Sequence, residues 1–308
     1  MTVKHPITPT LQLAKPVFTV SLDFELLWGT ADRPYSESFE RLCAIERERV
    51  FDRLLSLVAA SGISATWAVV GKLFLHDGGR DPLRHAADLV ERIRRCPVPQ
   101  EIGSHTLTHA EIGNISRQEA QAELEGWARL ARLAGVEYQS IVFPRNCAGH
   151  ADVVRGSGFR CFRGKERTWY AACGRPLRRL GHLADILTAR TPPTVLPRLE
   201  DGLWNIPGSM LYTPAFGVRR ILPVWLRVLR ANRGLDRAIR RREVFHLWFH
   251  PTDLARRTDA MLDGLRRIFE RAARLRDAGT LDILPMRALL PANRKTLEED
   301  AVHAAAQR

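Results

Sequence analysis

The sequence has no run of 18 or more apolar residues, so it offers no helix able to cross a membrane. The stretch Met1 to Pro16 lacks the charged start, apolar centre and small-residue cleavage site of a secretion signal. These two absences point to the cytoplasm. Cysteine is sparse: Cys43, Cys96, Cys147, Cys161 and Cys173 are odd in number, and none forms a Cys-x-x-Cys pair. That pattern argues against a disulfide framework or a cysteine zinc site and suits reduced thiols. There is no internal repeat and no low-complexity segment. Lysine is also scarce, so nearly all the excess positive charge is arginine.

What is present is an ordinary globular composition, 45% hydrophobic and 26% charged over 308 residues. Lys and Arg total 47 against 34 Asp and Glu, a net charge of +13. Such a balance suits nucleic acid, anionic lipid or phosphorylated substrates; the plainer source is a set of solvated basic helix faces.

Short β-prone segments alternate with longer helical patterns. Strands are expected at 17–25, 65–70, 100–103, 140–143, 159–162, 203–206, 244–249 and 281–284. Helices are expected at 37–60, 83–95, 116–134, 177–189, 218–241 and 251–278. Ser116 and Glu119 form a capping-box pattern, and Gly62 and Gly135 sit where helices should stop. Alternation of this kind predicts βα units around a parallel sheet. Seven or eight units predict an α/β fold, an irregular (β/α)7-8 barrel, with its chemistry at the C-terminal ends of the strands. The expected layout is an N-terminal extension (1–16), one catalytic domain (17–292) and a polar C-terminal tail (293–308). The segments 191–202 and 207–217 read as irregular, the second bordering the barrel mouth.

Gly103-Ser104-His105-Thr106-Leu107-Thr108-His109 places two imidazoles four residues apart after a strand. On one helical turn, i and i+4 are neighbours, so both rings could reach one cation. The plainer alternative is a capped helix start, since Ser104, Thr106 and Thr108 are natural capping residues.

The first strand alternates in a telling way. Phe18, Val20, Leu22 and Phe24 share one face, while Thr19, Ser21, Asp23 and Glu25 share the other, towards the barrel axis. Two carboxylates there are costly without a cation: one can bind a metal while the other moves a proton. A salt bridge to an arginine is the alternative. The late run Val244-Phe245-His246-Leu247-Trp248-Phe249-His250-Pro251 puts His250 at a strand exit and His246 deeper, as a hydrogen-bonded interior residue. A helical metal pair His246/His250 is the rival, against which the β-prone composition argues. Arg145, in Val142-Phe143-Pro144-Arg145-Asn146, is placed to clamp a carboxylate through two parallel hydrogen bonds, or is merely solvated.

Asp23-Phe24-Glu25, His105-x-x-x-His109, Phe143-Pro144-Arg145-Asn146 and His250 occur in the order found in polysaccharide deacetylases of the NodB-homology type, carbohydrate esterase family 4. The resemblance spans about residues 17 to 285. It departs from the usual pattern in the Phe24 between the acidic residues and in Pro144 preceding Arg145. It implies a NodB-like barrel and a metal-dependent hydrolase of non-peptide carbon–nitrogen bonds. Such an enzyme removes an N-acyl group, usually acetyl, from an amino sugar or carrier-linked glycan by attack of metal-bound water. By motif, Asp23 would be the general base, His250 the general acid, and Arg145 the residue tuning the base. Glu25, His105 and His109 would hold one divalent ion, commonly zinc. Trp28, Asn146 and Trp204 are the candidate substrate contacts, although tryptophan more often packs.

The arginine-rich segment 218–242 reads as a basic amphipathic helix. It could lie on an anionic membrane surface at the inner membrane face, hold the phosphates of a nucleotide- or lipid-linked sugar, or simply be an outer barrel helix. Two rival functions stay open: an amidohydrolase of a small non-sugar amide, and a non-enzymatic basic binder of nucleic acid or membrane. The strand-exit carboxylates and histidines weigh against the last, and no nucleic acid is expected as a partner.

Overall fold

The computed structural model describes residues 9–76 and 78–291. The expected tail 293–308 and the first half of the expected extension, 1–8, lie outside them. Among the described residues ten strands form one sheet: β1 (Val17–Phe24), β2 (Thr66–Val69), β3 (Glu101–Ser104), β4 (Ser140–Val142), β5 (Cys161–Arg163), β6 (Arg198–Glu200), β7 (Leu203–Asn205), β8 (Met210–Leu211), β9 (Val244–Phe249) and β10 (Asp282–Ile283). Their order is β6-β7-β5-β4-β3-β2-β1-β9-β8, with β10 beside β1. Every pairing is parallel except that of β6 with β7.

One continuous stretch links the two ends of this order. β7 pairs with β5, and the Ile206 and Gly208 N–H groups donate to the Phe162 and Gly164 carbonyls. Ser209 N–H then donates to the His246 carbonyl, and β8 pairs with β9. The chain thus leaves the β5 side and joins the β9 side within a few residues, bridging the curled sheet into an irregular α/β barrel. β6 and β8 were not expected, because two or three residues carry no readable period.

The eight residues of β1 are all buried. Phe18, Val20, Leu22 and Phe24 enter the main core, where Phe24 meets Trp67 edge-on at 5.9 Å and Phe18 stacks on Phe245 at 5.8 Å. Burial on this scale stabilises by roughly 1.5–3 kcal/mol per large side chain. Residues 9–16 are not free of the domain. Leu11 N–H donates to the Pro197 carbonyl, and Leu13 joins a second core cluster with Val17 and Met286.

The predicted helices form with shifted ends. Ser116 and Glu119 complete the capping box of the helix Arg117–Leu133, and Gly62 and Gly135 take φ of 62° and 65° just past helix ends. The 37–60 helix is interrupted by a π-helical turn, Glu46–Val50. The 218–241 helix begins only at Val224, because the residue before Pro223 is forced out of the helical region. The 251–278 helix begins at Thr258 after a 3-10 turn, Pro251–Leu254. Among the described residues no helix is long and apolar enough to cross a membrane.

The arginines of 218–242 do not form one solvated face. Arg227 is buried and donates to the carbonyls of Thr213 and Leu222. Arg230 is buried and reaches Asp185 and the Arg190 carbonyl. Arg233 donates to the Thr188 and Ala189 carbonyls. The guanidinium groups of Arg230 and Arg233 satisfy carbonyls beyond the C-terminus of the helix Arg175–Leu187, where orphaned acceptors and the helix dipole both favour a cation.

Candidate metal centre and catalytic cleft

The parallel strands point their C-terminal ends at one cleft of about 250 Å³, lined by Asp23, Glu25, His105, His109, Arg145, Asn146, Arg163, Trp248 and His250 among others. Asp23 is register-paired with Ala68 near the end of β1, and Glu25 follows immediately. The Glu25 carboxylate oxygen Oε2 lies 3.3 Å from His105 Nε2 and 3.0 Å from His109 Nε2. One ligand atom from each of the three residues lies within 4.8 Å of the others.

The histidine pair does not ride on a helix. Residues 105–110 form a loop in which Thr106 and His109 take φ of 60° and 66°. A β-branched residue there is an outlier, and surrounding contacts hold it. The loop carbonyls of Thr106 and Leu107 accept from Gly71 and Lys72, and Ser104 Oγ accepts from Thr106 N–H. Glu123, on the helix Arg117–Leu133, accepts from both the N–H and the hydroxyl of Thr108, at 2.9 and 2.7 Å. The ring centroids end up 5.0 Å apart.

The donor set fits a divalent ion. His105 Nδ1 is 2.8 Å from the Val142 carbonyl, which can only accept, so Nδ1 carries the proton and Nε2 offers its lone pair towards Glu25. Burial alone would raise the Glu25 carboxyl. The nearby imidazoles of His250, His105 and His109 override it and hold the group well below the usual carboxylate range. Two nitrogens and one carboxylate leave coordination positions open, as a catalytic site requires. Gly29 closes the back of this group: a Cβ there would lie 2.1 Å from Glu25 Oε1, so any larger residue would displace the carboxylate.

Asp23 has a partner other than the one expected. Arg163, at the end of β5, meets both its oxygens, Nη1 to Oδ1 at 2.6 Å and Nη2 to Oδ2 at 2.7 Å. Burial pushes Asp23 up, but this guanidinium outweighs it and holds the carboxyl below its ordinary value. Arg163 also donates to Ser21 Oγ and stacks over Trp248 at 4.2 Å. Ser21 Oγ lies 2.8 Å from His246 Nε2, and His246 Nδ1 is 3.2 Å from the Ile206 carbonyl. His246 is therefore the interior residue expected, with burial pushing its pKa down to about 3.

Arg145 faces elsewhere. It takes a bidentate grip on Asp32 at 2.6 Å and reaches Glu111 at 2.8 Å. It lines the cleft but does not bond Asp23, because φ of 52° and 55° at Arg145 and Asn146 turn the chain at the strand exit. Arg145 thus clamps a carboxylate, as anticipated, but that of Asp32; the clamp on Asp23 is made by Arg163, which is one arginine among many in sequence and which nothing in its own segment marks out.

His250 Nε2 stands 3.6 Å from Asp23 Oδ2 and 3.9 Å from Glu25 Oε1, while its Nδ1 lies 3.0 Å from Asp253 Oδ2. Burial opposes its charge, but the carboxylates of Asp253, Glu25 and Asp23 prevail and push its pKa up to about 10. Asp253 was not singled out from sequence, although an acid three residues beyond a strand-exit histidine at a proline turn is a readable signal. Behind this group, Glu46 is fully buried in the π-helical turn and accepts from the Thr252 hydroxyl, with its Oε1 unpaired. Burial raises it to about 8.

Of the candidate substrate contacts, Asn146 lines the cleft and Trp28 lines an adjoining cavity of about 530 Å³ with Asp32, His109, Glu111 and Asn114. Trp28 donates its indole N–H to the Arg84 carbonyl. Trp204 does not line the cleft. It sits in β7 between β5 and β6 and packs against the second core cluster.

The polysaccharide deacetylase family matches residues 32–149, which include His105, His109, Arg145 and Asn146. No curated protein matches the sequence. Among solved structures the chain is similar to a protein from Mycobacterium smegmatis assigned as a polysaccharide deacetylase, at a TM-score of 0.67 and 13% identity over 94% of this chain and 96% of that one. It is similar to a Pseudomonas aeruginosa PAO1 protein assigned likewise, at 0.60 and 13% over 89% of each. It is also similar to the allantoinase Puue, at 0.61 and 14% over 89% of this chain and 88% of that one. At such identities the likeness shows the fold, and one fold can host different substrates. Residues 32–149 match the polysaccharide deacetylase family, and the chain as a whole takes the fold of the two structures assigned to it.

Proposed function

We propose that this protein is a metal-dependent hydrolase that removes an N-acyl group from an amino sugar, free or within a glycan. The observation that carries the reading is the convergence of Glu25, His105 and His109 beside a carboxylate held by Arg163 and an imidazole held by Asp253.

Glu25, His105 and His109 would hold the ion, zinc being the first candidate. When bound, it supplies Lewis-acid polarisation and a more acidic water. Asp23, kept ionised by Arg163, takes the proton of the water that adds to the acyl carbon. His250, kept protonated by its carboxylate neighbours, gives a proton to the amine nitrogen as the C–N bond breaks. One water is consumed, and a carboxylate and an amine are released. Asp23 and His250 are close enough, at 3.6 Å, for the proton taken by one to restore the other.

The test uses the purified full chain loaded with divalent ions in turn. N-acylated amino sugars, both free and nucleotide-linked, and simple amides are incubated with it, and amine and carboxylate are assayed. Release from the sugars and not the amides is expected. Asp23→Asn should keep the metal and lose turnover, whereas Glu25→Gln should lose the metal. Failure to bind any divalent ion, or cleavage of simple amides alone, would overturn the reading.

A further inference from the structure

A second cavity of about 390 Å³ opens directly from the catalytic cleft, with Glu25, Gly29, Arg33 and His250 common to the walls of both. Beyond those residues its wall has an apolar side, the rings of Phe39 and Phe216 with Leu42 and Pro214, and a polar rim of Thr30, Thr252, Asp253 and Arg256. The Arg256 guanidinium stacks 5.0 Å over Phe216 and caps this wall. The cavity beside Trp28 differs, offering Asp32, Glu111 and Asn114, and so does a cavity of about 540 Å³ at Asn146, Lys165, Glu200 and Asn205. Both are suited to hydroxyl groups.

We infer that the Phe39–Leu42–Pro214–Phe216 bay holds the hydrocarbon chain of an acyl group longer than acetyl. This rests on the N-deacylase reading above. The argument is one of chemistry and position. Sugar hydroxyls placed against the Phe39–Leu42–Pro214–Phe216 side would lose water without gaining hydrogen-bond partners from it, which is costly; the polar cavities serve them. An acetyl methyl would leave most of the bay to water. The bay begins at Glu25 and His250, where the reacting carbonyl must lie, so the hydrocarbon must start within an atom or two of the scissile bond. An acyl chain meets that condition. A lipid carrier, separated from the amide by the sugar ring, does not. The reaction is unchanged: water adds to the acyl carbon, the C–N bond breaks, the amine takes the proton from His250, and a longer carboxylate leaves.

The experiment has two arms on the metal-loaded full chain. In the first, kcat/KM is measured for glucosamine carrying N-acetyl, N-butyryl, N-hexanoyl and N-octanoyl groups, and for N-acetylglucosamine with an octyl aglycone. A gain of roughly fourfold per added methylene is expected until the bay is full, the equivalent of ~0.8 kcal/mol each, with no gain from the octyl aglycone. In the second, acetate, hexanoate and octanoate are titrated as ligands, a readout independent of turnover. Phe216→Ala and Leu42→Gln should flatten both slopes. Cleavage of N-acetyl as fast as the longer amides, or equal binding of acetate and octanoate, would overturn the inference while leaving the deacylase reading intact. If octanoate binds tightly but no amide is cleaved, the deacylase reading fails and the bay stands as a fatty-acyl site. A gain only with the octyl aglycone would assign the hydrocarbon to a carrier and overturn the acyl assignment.

Discussion

Arg163 grips both oxygens of Asp23 at 2.6 and 2.7 Å, although β5 and β1 are separated by three strands in the sheet. The sheet must curl for that pair to form, so the ion pair reports both the barrel and the state of the base. Neither member of the pair is more than 4% exposed, which keeps water from screening it. Breaking a buried pair leaves an uncompensated charge and typically costs about 3–5 kcal/mol. Arg163→Met should lower stability by that order in urea titrations. It should also move the acid limb of the kcat/KM profile to higher pH, because removing a cation raises the Asp23 pKa. A limb that stays in place would show that Arg163 does not set the ionisation of Asp23.

Arg145 is the contrasting case. Its partner Asp32 is half-exposed, and exposed pairs contribute about 1 kcal/mol or less. Arg145→Ala should therefore change stability little and leave the acid limb where it is, while KM rises through disorder of the cleft wall. A shift of the limb as large as that of Arg163→Met would return the base-tuning role to Arg145.

Glu123 holds the left-handed loop that aims His109. Removing such outer support of a ligand commonly costs 10–100-fold in metal affinity. Glu123→Ala should lose affinity in that range, measured by competition with a chelating dye, with circular dichroism showing the helix Arg117–Leu133 retained. Unchanged affinity would mean that the loop is held without Glu123.

Glu46 predicts a pH dependence of stability. Burial raises its pKa from 4.5 to about 8. A group whose folded pKa is raised contributes fully below the unfolded value, and that contribution is lost as pH rises towards the folded value. Between about pH 4.5 and pH 8 the protein should lose stability relative to Glu46→Gln, which cannot ionise. Urea midpoints at about pH 5 and about pH 8 should show a gap that widens at the higher pH in favour of the variant. A constant gap would show that Glu46 does not titrate in this window.

Much of the architecture was legible because it rests on local periodicity. Alternation in β1 separates the core face, Phe18 to Phe24, from the inward Ser21 and Asp23. The capping box at Ser116 and the glycines at 62 and 135 mark helix ends through backbone chemistry that any chain obeys. Period alone could not reveal β6 and β8, nor the π-helical turn that buries Glu46, because two to five residues carry too few repeats.

The site divides along the same line. The residue types and their order were readable: Asp23, Glu25, His105, His109 and His250 at strand exits, with His246 inside. By itself the sequence determined an alternating α/β chain with carboxylates and imidazoles at the ends of its strands. Tertiary structure decided which charges meet. It set the histidine pair in a left-handed loop rather than a helix, gave Asp23 to Arg163 instead of Arg145, and gave His250 to Asp253. It also turned Arg227 and Arg230 inward onto backbone carbonyls and sent Trp204 to the core. The reason is physical: the face a side chain presents follows from local backbone period, but the partner of a charge depends on which strand exits the curled sheet brings within a few ångströms. Dozens of arginines look alike until the barrel selects one of them.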